Sequence, residues 1–226
     1  MILLSDILGH KFKEDLCNEN LVSLRKLNCV VIDETMSQVS SKSKYFCYVR
    51  ESVYSMLNSA SSLLPDNCQF LIKEGYRPAS IQQDSFDRIF KRYKTNSPGL
   101  DDRVILKRVS EYVAPLGVAG HPTGGAIDIT LIVNGEEAFM GTRFNDEPSE
   151  TNNRTYMSSL DIGKEEKENR KVLSEALSAV GFINYPAEWW HWSFGDKYWA
   201  CITNNPVKYC TILDNEIRNL THASTL

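Results

Sequence analysis

The stretch Ala126–Val133 constrains this chain more than any other. Ile127, Ile129, Leu131 and Val133 fall on one side of an extended segment, and Asp128, Thr130 and Ile132 on the other. Asn134-Gly135 follows at once, a pair suited to the positive backbone angles of a tight hairpin turn. An antiparallel sheet is therefore expected, with Asp128 on the face opposite the Ile/Leu set. Gly124-Gly125, just before the strand, permits a tight turn. Such a turn would fold His121 back over the Asp128 face.

The chain has four histidines, and His10 and His222 lie near its ends. The other two occupy its most unusual stretches: Gly120-His121-Pro122-Thr123-Gly124-Gly125 and Glu188-Trp189-Trp190-His191. Positions three apart on a regular strand face opposite sides. For Glu188 and His191 to share a site, the backbone must bulge, bend or leave the strand between them. A carboxylate and an imidazole in so apolar a run need partners if they are buried. His121, Asp128 and His191 would supply two imidazoles and a carboxylate with one position open, the donor set of a catalytic zinc site. Glu188 would then stand beside the metal as a proton carrier. A loop histidine beside a turn and a buried, hydrogen-bonded ring are the plainer readings of His121 and His191.

Glu74-Gly75-Tyr76-Arg77-Pro78, the His121-x6-Asp128 pair and Glu188-Trp189-Trp190-His191 together resemble the signature motifs of zinc D,D-peptidases of the D-alanyl-D-alanine dipeptidase (VanX-type) family. The similarity runs from about Tyr45 to about Tyr209. It includes Met140-Gly141-Thr142-Arg143-Phe144 and Trp192-Ser193-Phe194-Gly195-Asp196. The resemblance implies an α+β fold of the D-Ala-D-Ala peptidase and hedgehog-like kind, a small central antiparallel sheet flanked by helices with the zinc site on the sheet. It implies one zinc per chain on His121, Asp128 and His191, water activated by Glu188, and an oxyanion stabilised by Arg77. A small D,D-dipeptide or a peptidoglycan peptide would be the substrate.

The substrate end departs from the family pattern. Where relatives carry an Asp that holds the dipeptide's free amine, this chain has Asn145, followed by Asp146. Asp146, helped by Asn145, is the expected ammonium contact, and Tyr112 a substrate-lining residue. A Ser that relatives can carry two residues before the first histidine is Ala119 here. A D,D- or L,D-carboxypeptidase that trims longer peptides, or a zinc-binding module without catalysis, are the alternatives to a dipeptidase. The presence of both Glu188 and Arg77 argues against the last.

A chain of 226 residues with 42% hydrophobic and 24% charged residues has the make-up of one soluble globular domain, with its core over about 29–209. The net charge of −4 and the lack of a basic run speak against nucleic-acid binding. No stretch has the apolar length of a membrane span. Met1-Ile2-Leu3-Leu4-Ser5-Asp6 lacks the basic start of a secretory signal, so a cytoplasmic protein is expected. The six cysteines form no CxxC pair and read as free thiols.

Strands are expected at 29–32 and 69–73. Helical spacing joins Val53, Met56, Leu57, Ala60 and Leu64, and residues 38–44 read as a loop. Ser80 with Gln83 forms a capping box for a helix whose stripe is Phe86, Ile89, Phe90 and Tyr93. Asp101 caps the next, with Val104, Ile105, Val109, Tyr112 and Val113 inward. Residues 142–163 read as a polar loop. A helix from about Glu165 ends at Gly181, Lys197 to Cys201 is a last strand, and the tail after Cys210 is expected to fray.

Overall fold

The computed structural model describes residues 1–35, 39 and 41–221. Its strands are β1 (Leu21–Ser23), β2 (Val30–Ile32), β3 (Tyr48–Arg50), β4 (Cys68–Glu74), β5 (Ala126–Val133), β6 (Glu136–Glu137), β7 (Ile183–Asn184) and β8 (His191–Ser193). Its helices are α1 (Glu51–Ser61), α2 (Ala79–Asn96), α3 (Asp102–Val109), α4 (Lys164–Ala179), α5 (Lys197–Thr203) and α6 (Ile217–Thr221).

The central sheet runs β2-β4-β5-β8-β7, with β6 paired to β5 through the expected hairpin. Asn134 and Gly135 take φ of 54° and 88° there, as that turn requires. Every pair is antiparallel except β2 with β4, which gives the sheet a parallel edge. The ladder of β4 and β5 shifts between Ile72 and Glu74. This bulge puts Glu74 opposite Asp128, while β8 puts His191 opposite Asp128 from the other side. One row across three strands therefore carries Glu74, Asp128 and His191.

Ile127, Ile129 and Leu131 are fully buried with Val53, Leu57 and Ala60 of α1 and Leu173, Ala176 and Leu177 of α4. At roughly 1.5–3 kcal/mol for each fully buried aliphatic side chain, this layer is the main source of stability. α2 stands over the opposite face, and the cavity described below lies between the two.

Several expectations need correction. Ser80 does not cap α2: Pro78 holds the N-cap position, and the Ser80 hydroxyl binds Asp214 instead. Val104 faces solvent. Residues 197–203 form a helix, because the Asp196 carboxylate accepts the Trp199 backbone N–H at 2.8 Å and starts the turn. Their aromatic content reflects burial of Tyr198 and Trp199, not a pleated conformation. The described part of the tail, from Cys210 to Thr221, packs on the body of the protein and ends in α6. Ile212 and Ile217 pack with Leu21 and Tyr76, and the Ile212 N–H donates to the Pro122 carbonyl. His222, with Gln38 and Ser40 of the expected loop, lies outside the described residues. All six cysteines are free. No described helix is long and apolar enough to cross a membrane.

Candidate metal and catalytic site

The loop before β5 turns at Gly124, whose φ is 74°, and carries His121 back over the sheet. Its shape is fixed from outside. The buried Arg50 guanidinium donates to the Thr123 carbonyl at 2.8 Å, and the Arg50 N–H to the Gly124 carbonyl. His121 Nδ1 lies 2.6 Å from the Gly75 carbonyl oxygen, to which only an N–H can donate. That leaves Nε2 as a lone-pair donor, 3.2 Å from Asp128 Oδ1. His191 brings Nδ1 to 3.0 Å from the same oxygen. One ligand atom from each of the three residues falls within 4.8 Å of the others. Two ring nitrogens and a carboxylate on one side of a cavity fit a tetrahedral cation with a vacant position.

Glu188 reaches this cluster because the chain leaves the sheet before His191. Residues 188–190 form a turn, and Asn184 pins it by donating to the carbonyls of Glu188 at 2.9 Å and His191 at 3.0 Å. Glu188 Oε2 lies 3.9 Å from His191 Nδ1. The indoles on either side, Trp189 within the turn and Trp192 just past His191, are anchored. Trp189 Nε1–H donates to the Thr142 hydroxyl, and Trp192 Nε1–H to the Trp189 carbonyl.

Burial raises the Glu188 carboxyl well above the usual range, and the Asp128 charge adds to this against the opposing pull of Arg77. Asp128 goes the other way. Burial alone would raise it, but the charges and hydrogen bonds of His121 and His191 hold it well below its ordinary value.

Arg77 Nε donates to Glu74 Oε1 at 2.5 Å, and Nη1 to Gln82 Oε1 at 3.0 Å. Gln82 in turn donates to the Ala114 carbonyl at 2.7 Å. The guanidinium is thus held from two sides with one edge left over for the cavity.

The cavity, open to solvent at its mouth, takes in Arg77, Tyr112, Ala119, His121, Asp128, Asn145, Glu188 and His191. Asp146 is not on its wall. Its carboxylate accepts the Arg143 N–H at 2.8 Å and closes the 143–146 turn, leaving Asn145, with φ of 65°, to face inward. The sequence reading missed Glu74, Gln82 and Asn184. Glu74 was visible as a charged residue three before Arg77 at a strand end; nothing in the sequence distinguished the other two.

The Peptidase_M15 family model, described as D-ala-D-ala dipeptidase, matches residues 25–210. A D-alanyl-D-alanine dipeptidase of Synechocystis sp. is 26% identical over 212 residues, 83% of this chain and 84% of that protein. One from Enterococcus faecalis is 31% identical over 137 residues, 56% of this chain and 62% of that protein. Among solved structures, VanYB in complex with D-Alanine-D-Alanine is similar at a TM-score of 0.41 and 18% identity, over 71% of this chain and 80% of that one. The LdcB LD-carboxypeptidase is similar at 0.41 and 17%, over 91% and 85%.

Proposed function

The chain belongs to the Peptidase_M15 family, and from that premise we propose that it is a zinc-dependent peptidase that hydrolyses the D-alanyl-D-alanine bond in peptidoglycan metabolism. One observation carries this reading: the donors of His121, Asp128 and His191, the Glu188 carboxylate and the Arg77 guanidinium all converge on one cavity. A solely structural metal site would need neither of the last two.

His121, Asp128 and His191 would hold the ion. Zinc bound there supplies Lewis acidity and lowers the pKa of water toward neutrality. Glu188 takes a proton from the attacking water and hands it to the leaving amine. Its elevated affinity for protons suits a group that must carry one before giving it up. The carbonyl oxygen of the scissile amide gains negative charge during attack. Arg77, always charged and held by Glu74 and Gln82, donates to it. Because those two partners set the guanidinium in advance, little reorganisation accompanies the reaction.

The named activity of the relatives favours the free dipeptide as substrate. A second reading, a carboxypeptidase acting on longer peptidoglycan peptides, is favoured by Asn145 facing the cavity where a carboxylate would hold a free ammonium. Release of D-alanine from D-Ala-D-Ala and from a muramyl pentapeptide, measured side by side on zinc-loaded protein, tests both. Hydrolysis of neither would overturn the peptidase reading.

A further inference from the structure

α2 lays Gln82, Ser85, Arg88 and Ile89 along the cavity, a spacing that keeps them on one helical face. Gln82 touches Arg77 at the catalytic end. Arg88 is six residues further on, about 9 Å along the axis. One turn beyond, Arg92 is paired to Glu147, which also accepts from the Tyr93 hydroxyl at 3.1 Å. Glu147 follows Asn145 by two residues, so this ion pair brings the Asn145 wall against the Arg88 end of the helix. Burial and the negative charges of Glu147 and Glu188 raise the Tyr112 hydroxyl on the same wall, and the positive charges of Arg92 and Arg88 oppose them, so Arg88 stands within electrostatic reach of that wall.

The charges at this end do not balance. The nearby carboxylate, Glu147, is already neutralised by Arg92. Asp146 is committed to its own turn, and Asn145 is neutral. Arg88 makes no ion pair among the described residues and is exposed at the cavity mouth. The carboxylates that line the cavity, Glu74, Asp128 and Glu188, sit with Arg77 and the two histidines, and Asp84 and Asp87 of α2 are exposed outside the lining, so a free ammonium beside Arg88 would meet the guanidinium first. An anion would meet a complementary charge.

We propose that Arg88 and Asn145 form a subsite for a carboxylate on the amino side of the scissile bond, so that the substrate class is acylated D-alanyl-D-alanine peptides bearing an acidic group and not the free dipeptide. The proposal rests on the peptidase reading given above. Arg88 donates to the carboxylate, and the Asn145 amide is placed to bind the acyl linkage beside it. The span from Gln82 to Arg88 fits an acyl group a few bonds longer than acetyl.

Three ligands separate the possibilities: N-succinyl-D-Ala-D-Ala, N-acetyl-D-Ala-D-Ala and D-Ala-D-Ala. On zinc-loaded wild type, KM should be lowest for the succinyl peptide, about fivefold below acetyl, as suits an exposed charge pair. Arg88→Gln should bring that ratio close to one, and Arg88→Glu should move preference toward the free ammonium. A ratio unchanged by Arg88→Gln, or a wild type that prefers the free dipeptide, overturns the subsite. Calorimetric binding of the same ligands to zinc-loaded Glu188→Gln keeps the two readings apart. Arg88-dependent succinyl binding without hydrolysis by wild type would retain the subsite and reject the peptidase. Hydrolysis of the acetyl peptide without Arg88-dependent binding would do the reverse.

Discussion

His121 Nδ1 stands 2.6 Å from the carbonyl oxygen of Gly75. This contact ties the loop that carries His121 to the end of β4 and selects the ring nitrogen that faces Asp128. Gly75 itself has no room for a side chain. A Cβ there would lie 2.6 Å from the Tyr48 carbonyl oxygen, a backbone atom that cannot swing aside. Gly75→Ala should therefore displace the carbonyl that orients His121. Zinc affinity is expected to fall about 10–100-fold, as for other groups that orient a metal ligand. Competition against a chromogenic chelator measures it; unchanged affinity would mean that the contact does not set the ring.

One zinc per chain is expected from elemental analysis of protein purified without added metal. His191→Ala removes one of three donors and should lose the metal while the far-ultraviolet circular dichroism stays that of the wild type. Full occupancy in that variant would refute the assignment.

Glu188→Ala should keep its zinc and lose about 10²–10⁴-fold in kcat, the usual contribution of a positioned proton carrier. Activity within a few-fold of wild type would move the base elsewhere.

Lys73 gives a prediction about stability. The bulge that aims Glu74 at the site leaves Lys73 almost fully buried, bridging Asp33 at 2.7 Å and Glu137 at 2.7 Å. Burial by itself would raise the Asp33 carboxyl, but the Lys73 ammonium and Thr35 hold it down at about 2. A depressed carboxyl stabilises the fold above its unfolded value of 3.8 and loses that contribution as pH falls toward about 2. Between pH 4 and pH 2, wild type should lose on the order of 1 kcal/mol more stability than Asp33→Asn, after allowing for solvent screening. Parallel urea midpoints across that range would contradict this.

The strand at 126–133, its hairpin and the return of His121 were legible because they follow from side-chain alternation and from glycines whose backbone angles suit few other residues. The departure of residues 188–190 from the sheet was one of the three ways, with a bulge or a bend, in which the spacing could let Glu188 and His191 share a site. What escaped the sequence is set by particular partners, near or far along the chain, that composition and spacing do not name. Ser80 had a capping pattern, yet Asp214 took its hydroxyl. Tyr198 and Trp199 favoured a strand by composition, and one carboxylate, Asp196, made them helical. The polar tail gave no sign that Ile212 and Ile217 would find Tyr76. Asp146 seemed free to meet a ligand, but the Arg143 N–H lies nearer.

The grip on residues 122–124 has a kinetic side. Arg50 holds this loop from 73 residues upstream, and Ile212 holds it from further still downstream. Such non-local contacts close only after the intervening chain has collapsed, and chains rich in them fold slowly. During synthesis the loop can gain both restraints only once residue 212 has emerged. The nascent protein thus carries His121 on a segment that lacks its Ile212 brace until that residue has emerged.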